Sequence, residues 1–203
     1  MSETLKLTLK GSHVVDTVKN VKTGEVKVFD RGNNLVVNKI LPLITSLLKG
    51  SMSGIQYWAV GSGSSSWDTA PITPSLEEVK LTHEIGRKII TASNIKFVDA
   101  STLEESTTPT TCLEVTCTFY EQDCNGVWRE FRLFGGNATA TKDSGYMIDK
   151  KHHAIFTKTE EMIIDRKIYL TVAFAEGGFN KWLSHLILVY LQILIFLQLL
   201  SSI

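Results

Sequence analysis

Short runs of alternating apolar and polar residues constrain the fold of this chain more than any other feature of its sequence. Between Leu113 and Phe119, and again between Ile168 and Phe174, apolar side chains occupy every second position. Successive side chains of a β-strand point to opposite faces, so each run predicts a strand with one buried face. Many such runs, separated by turn residues, favour an all-β, sandwich-like body.

Turn residues between the runs predict how neighbouring strands pair. Residues 13–21 and 26–29 flank Lys22-Thr23-Gly24-Glu25, which predicts a β-hairpin. Residues 113–120 and 127–134 flank Asn125-Gly126, the dipeptide most typical of a two-residue hairpin turn. We expect these two strands to pair with each other. Residues 87–98 predict a single long strand.

One segment has helical rather than strand spacing. A helix near residues 39–49 is predicted by the apolar side chains of Ile40, Leu43, Ile44, Leu47 and Leu48. Asn38 is expected to cap its start and Gly50 to follow its end, where a left-handed residue commonly terminates a helix. The sequence therefore predicts a β body with one helix packed on a sheet.

The segment after residue 55 combines a strand with a long loop. Residues 55–60 are apolar and aromatic, two glycines follow, and a serine run leads to Trp67. Trp67 is expected to pin the loop to the body, and Ser75 to cap a short helical turn at residues 76–81. Long ordered loops in compact domains are often contact surfaces. The interface predicted from this segment comprises Trp58, Gly61, Gly63, Trp67, Asp68, Pro71 and Arg87; a core position for Trp58 is an equal alternative.

No set of residues predicts catalysis or metal binding. Cys112 and Cys117 are an odd number of positions apart on one strand, so their side chains face opposite sides and do not converge on zinc. His152 and His153 diverge for the same reason and are expected at the surface. We therefore expect no catalytic, cofactor or metal residue, and the formal net charge of +0 gives no indication of nucleic-acid binding.

The C-terminal segment differs from the rest of the chain because it is almost wholly apolar. Residues 182–203 contain no charged side chain, and a helix of this length spans about 33 Å, enough for a bilayer core of about 30 Å. Three interpretations are open: a membrane anchor, a helix in the core of an oligomer, or a non-native extension. We expect a β-rich domain over residues 1–178 and a hydrophobic helix within 179–203. The predicted membrane segment includes Trp182, Leu186, Leu191, Phe196 and Leu200.

Several short motifs, in order, resemble a group of small phage tail proteins. This group occurs in tail-fibre and baseplate regions of phages and in phage-derived contractile injection systems and tailocins. The resemblance covers roughly residues 25–175, and the segment from Phe179 departs from it. The motifs are Asn34-Leu35-Val36-Val37-Asn38, Tyr57-Trp58-Ala59-Val60-Gly61-Ser62-Gly63, Trp67-Asp68-x-x-Pro71, Leu81-x-x-Glu84-x-x-Arg87-Lys88 and Arg129-Glu130-x-x-Leu133-Phe134-Gly135.

The resemblance implies a non-enzymatic structural component of a phage tail or phage-like particle, near the baseplate or fibre attachment. Its expected partners are other tail or baseplate proteins and further copies of itself. Its expected location is a particle assembled in the bacterial cytoplasm, with membrane contact through residues 182–203. The alternative is a receptor- or carbohydrate-binding sandwich at a fibre tip, where Trp67 or Trp128 would stack on sugar.

Overall fold

Two antiparallel β-sheets and a short helix make up the part of the chain that the computed structural model describes, residues 7–174. Leu9–Thr171 form one compact unit, which contains the core and the site described below. The elements are β1 (Leu7–Asn20), β2 (Val26–Asn33), β3 (Leu35–Val36), α1 (Ile40–Leu48), β4 (Ser53–Gly61), β5 (Glu84–Ile89), β6 (Ile95–Val98), β7 (Glu105–Ser106), β8 (Cys112–Phe119), β9 (Gly126–Gly136), β10 (Tyr146–Met147), β11 (Asp149–Lys158) and β12 (Met162–Phe174).

The hydrophobic core lies between the two sheets. One sheet has the order β2-β1-β12-β8-β6-β7 and the other β3-β11-β9-β4-β5, with β10 beside β9. Side chains from both sheets form one buried cluster, which includes Val115 and Phe119 of β8, Ile168 of β12, and Trp58 and Trp128 of the facing sheet. The alternation in β8 and β12 therefore reflects strands with one buried face, as predicted. The predicted all-β, sandwich-like fold is confirmed.

The first hairpin and the helix are also confirmed. β1 and β2 pair in antiparallel fashion up to Lys19 and Val26. α1 is followed by Gly50 at a φ of +71°, the left-handed conformation expected after a helix end. Asn38 does not cap the helix: its amide donates to Glu77 Oε1 at 2.6 Å, and the cap residue makes no side-chain hydrogen bond.

The predicted hairpin of residues 113–120 with 127–134 is wrong. β8 pairs with β12 and β6, whereas β9 pairs with β4 and β11, so the two strands lie in different sheets. A hairpin would place their apolar faces side by side, but in facing sheets those faces bury each other across the core. Lys158 holds the connection between β8 and β9, because its Nζ donates to Tyr120 O at 2.7 Å and to Asn125 Oδ1 at 2.8 Å.

Two further local predictions fail. The strand predicted over residues 87–98 is divided between the sheets, because Thr91 and Asn94 form a capping box around a 3₁₀ turn at Ala92–Asn94. The helical turn predicted at residues 76–81 is only a bend with a turn. Ser75 does accept from Glu77 N at 3.2 Å, as a cap would. The chain does not continue as a helix, because the Glu78 carboxylate forms ion pairs with Arg132 and Lys150 in the body.

The C-terminal predictions fall outside the described residues. These are the hydrophobic helix, the boundary between residues 178 and 179, and the membrane segment over residues 182–203. Within residues 7–174, no helix has the length and apolar character needed to cross a membrane.

Candidate functional site

The loop that follows β4 covers the outer face of the second sheet. Ala59 of β4 and Phe134 of β9 point away from the main core and form a second buried cluster. Leu81, from the end of the loop, is 1% exposed and packs in this cluster. Both faces of the second sheet are therefore buried at this point, and the loop is a layer of the fold.

An arginine of β9 fixes the middle of the loop. Arg129 Nε and Nη2 donate to the two carboxylate oxygens of Asp68 at 2.8 and 2.7 Å, and Nη1 donates to Ser62 O at 3.0 Å. The hydrogen bond from Arg129 lowers the pKa of Asp68 from its ordinary value. This paired geometry holds the loop at two points along its length.

Trp67 is pinned to the body, as predicted, but through a partner that the sequence did not indicate. Its ring stacks on His152 of β11 with centroids 4.1 Å apart. Gly63 lies against the indole at a φ of +55°, and a Cβ atom there would be 2.4 Å from Trp67 Cζ3. Only glycine fits this position, because both the conformation and the space exclude a side chain. Burial lowers the pKa of His152.

Buried charges hold the end of the loop. Glu130 Oε1 accepts from the backbone N–H groups of Thr82 and His83 at 2.9 and 3.1 Å. Arg132, which is fully buried, donates to Glu78 Oε2 at 2.9 Å, and Lys150 forms an ion pair with the same carboxylate. Charged side chains of a strand more often form cross-strand ion pairs on a solvated face. Here they are ion-paired, but inside the protein.

A cleft of about 580 Å³ lies between the loop and the edge of the second sheet. It is lined by residues 33–35, 67–68, 71–74 and 150–155. Ile72 on the loop is 48% exposed and Ile155 on β11 is 51% exposed, so both sides carry accessible apolar surface. The volume falls within the range of clefts that bind ligands, about 300–1,000 Å³.

Three of the seven predicted interface residues line this cleft: Trp67, Asp68 and Pro71. The other four lie inside the protein. Trp58 is 0% exposed and belongs to the main core, which is the alternative noted above for this residue.

Of the remaining three predicted interface residues, the two glycines support the loop from within. A Cβ atom on Gly61 would be 2.7 Å from Glu130 Oε1, and Gly63 lies against Trp67. The Arg87 side chain is 2% exposed and pairs with Glu84 at 2.7 Å. The two glycines can affect the cleft only by positioning the loop, whereas Arg87 donates to Thr139 O and Ser144 O, which lie outside the loop.

The β11 side of the cleft was not predicted. His152 and His153 were expected at the surface, but both are half-buried. Burial lowers the pKa of His153 to about 3. The polar run Lys150-Lys151-His152-His153 within a strand was the available signal, since such a run in a strand packed on both sides requires partners for its charges.

The residues described by the structure do not assemble a metal site. The hydroxyls of Ser64 and Ser66 bond each other at 2.8 Å. Cys112 and Cys117 are buried free thiols, and no group of three His, Cys, Asp or Glu residues among residues 7–174 is placed to hold a metal ion. Trp128 is 0% exposed and its indole N–H donates to Cys124 O at 2.7 Å, so the expectation that it stacks on sugar is wrong.

The short motifs of the resemblance converge in this layer. Arg129 of one motif pairs with Asp68 of another, and the Arg87 guanidinium lies 4.6 Å from the ring centre of Phe134. Motifs that are distant in sequence thus pack on one face of the second sheet. No family model matches the chain, and neither a curated protein nor a solved structure matches it.

Proposed function

We propose that this protein is a non-enzymatic structural component of a phage tail or phage-like contractile particle, near the baseplate or fibre attachment. It acts by protein–protein contact through the cleft between the loop and β11. The proposal draws on the order of the sequence motifs. The single observation that carries the contact surface is a long loop held rigid while Trp67, Pro71 and Ile72 remain at its surface.

The rigidity of the loop matters because ordering a flexible loop on binding weakens a contact. Fixing the backbone of a long loop has a large cost in conformational entropy. The loop's own contacts offset this cost: the ion pair of Asp68 with Arg129 and the stack of Trp67 on His152. A partner therefore meets a preformed surface and does not have to fold the loop.

Protein contact is favoured here over the alternative of receptor or glycan binding at a fibre tip. Sugar recognition by stacking requires an open aromatic face. Trp128 is fully buried, and one face of Trp67 is occupied by the His152 ring. The accessible surface of the cleft is instead mostly apolar and includes Pro71, Ile72 and Ile155, which suits a protein partner.

The partners in this proposal are other tail or baseplate proteins together with further copies of this chain. Membrane contact through residues 182–203 stays a prediction from the sequence. The balance of 21 basic and 21 acidic side chains gives no support for a nucleic-acid partner.

The test is to ask whether particles contain the chain and whether Trp67 is needed. Phage or tail-like particles induced from the encoding organism and purified on a gradient should contain the chain by mass spectrometry. Trp67→Ala should abolish incorporation while the variant still folds. The control is Tyr120→Ala, which truncates an aromatic residue that is 55% exposed and outside the cleft.

Particles that lack the chain would refute the proposed function. Normal incorporation of the Trp67 variant would refute the cleft as its contact surface, as would equal loss of incorporation for the Tyr120 variant.

A further inference from the structure

We infer that the cleft receives an extended peptide segment of a partner protein, which adds beside the edge of β11 that the described strands leave unpaired and places an acidic side chain against Lys151. This inference rests on the proposed function and names the kind of segment that the contact surface recognises.

The edge of β11 is only partly used within the described residues. β3 is two residues long and pairs with β11 only at Asp149 and Lys150. Among the described residues, 151–158 have no strand partner on the β3 side, and on the β9 side only residues 151–152 and 156–158 are paired. An unpaired strand edge presents N–H and C=O groups that an extended peptide can join.

The free edge coincides with the cleft. Residues 150–155 of β11 form one side of the cleft, and residues 71–74 of the loop form the opposite side. The register of β11 against β9 shifts between His152 and Phe156, and such an irregularity bends a strand. The regular ladder available to a peptide is therefore short, and side-chain contacts in the cleft must supply the rest of the recognition.

Charge identifies the side chain that the segment carries. Lys151 is half-buried and its Nζ donates to Asn33 O at 2.6 Å, but among the described residues it has no carboxylate within 4.0 Å. The other charges at the cleft are paired: Lys150 with Glu78 and Asp68 with Arg129. Burial lowers the pKa of Lys151, and the charge of nearby Asp30 opposes this shift only in part. An acidic side chain would complete this compensation.

Apolar surface beside Lys151 accounts for the rest of the segment. Ile72 and Ile155 are each about half exposed on opposite sides of the cleft. Alternate side chains of an extended peptide point in opposite directions. A segment that presents an acidic residue to Lys151 can therefore place aliphatic neighbours against these two isoleucines.

The experiment uses the full chain and labelled, capped heptapeptides of alternating valine and threonine with a central glutamate, glutamine or lysine. Binding is followed by fluorescence anisotropy. We expect the glutamate peptide to bind about two- to fivefold more tightly than the glutamine peptide, the upper part of the range for an ion pair that keeps contact with water, and the lysine peptide to bind least. Methylation of alternate backbone nitrogens should abolish binding, because it removes the donors of the ladder.

Variants assign the effect to Lys151. Lys151→Glu should reverse the order so that the lysine peptide binds best. Lys49→Glu makes the same charge change at an exposed position outside the cleft and should leave the order unchanged. Urea unfolding of both variants checks that the fold is retained.

Three results would overturn the inference: no binding of any peptide, equal binding of the methylated peptide, or an unchanged order in the Lys151 variant. Particle incorporation is measured separately. If the chain is incorporated but binds no peptide, this inference fails and the proposed function stands.

Discussion

Asp16→Asn is expected to cause a large loss of stability, because one buried carboxylate neutralises two buried arginines. Arg166 Nε and Nη2 donate to Asp16 at 2.5 and 2.7 Å, and Arg31 Nε donates to the same carboxylate at 2.8 Å. Asp16 and Arg166 are both 0% exposed, so water cannot replace these contacts.

The size of the loss follows from what the substitution leaves behind. Removing one partner of a buried ion pair costs about 3–5 kcal/mol. Here the remaining Arg166 guanidinium lies 4.3 Å from the ring centre of Phe131 and 5.2 Å from that of Trp128, and Arg31 loses its carboxylate as well. We therefore expect about 4–5 kcal/mol, a large part of the roughly 5–15 kcal/mol that stabilises a typical domain.

The assay is urea unfolding of the full chain followed by tryptophan fluorescence, to which Trp128 contributes from beside the network. Asp165→Asn is the matched control. Asp165 is exposed on the neighbouring position of the same strand as Arg166, and an asparagine there can still accept from Thr118. A loss below about 1 kcal/mol for Asp16→Asn would refute the reasoning, as would an equal loss for the control.

The pKa of Asp16 also predicts how the stability of the fold changes with pH. Burial opposes ionisation of Asp16, but the charges and hydrogen bonds of Arg166 and Arg31 outweigh it and lower its pKa. A folded-state pKa below the unfolded value of about 3.9 contributes stability above that pH, and the contribution is lost as the pH falls through the folded-state pKa. Asp16→Asn should lack this part of the acid sensitivity when unfolding is measured across acid pH.

Three further predictions concern single positions. Burial raises the pKa of Asp149 to about 6, so its stabilising contribution is complete below about pH 4 and lost as the pH rises through 6; Asp149→Asn should flatten stability over that interval in a pH series of urea unfolding. Gly126 has a φ of +135°, so Gly126→Ala should lower the free energy of unfolding by about 1–3 kcal/mol. Gly54→Ala is the control: a Cβ atom at Gly54 meets open space, so this substitution should leave the free energy of unfolding unchanged in the same assay. Burial raises the pKa of Cys117 to about 12, so iodoacetamide at pH 8 should label it only in urea, as read by peptide mass spectrometry.

The alternating pattern of the sequence was enough to predict the fold class and several of the strands, though not the break within residues 87–98. The apolar face of β8, the β1–β2 hairpin and the position of α1 were all predicted from spacing and turn residues. These features are local: period-two alternation places side chains on one face whatever the partner strand. The pinning of the loop by Trp67 was also predicted, because a large aromatic residue among serines and glycines has few other roles.

Strand partners could not be predicted from local pattern. Asn125-Gly126 is typical of a tight hairpin, yet β8 and β9 lie in different sheets. A turn dipeptide biases only a few backbone angles, whereas the sheet to which a strand belongs is decided by burial of whole faces. The apolar face of each strand was visible in the sequence, but the face that it opposes was not.

The candidate site likewise combines residues that the sequence predicted with residues that it did not. Trp67, Asp68 and Pro71 were predicted from the loop, but His152 and Lys151 on the other side of the cleft were not, because β11 meets the loop only in the folded chain.

By itself, the sequence determined an all-β body, one helix and a long loop anchored by an aromatic residue. Only the tertiary structure decided that arginine and lysine side chains of the strands are buried. Arg132 and Arg166, for example, are each 0% exposed and find carboxylates on distant segments, at Glu78 and Asp16. A charged side chain is buried only where an opposite charge compensates it, and the formation of that ion pair depends on how the whole chain folds.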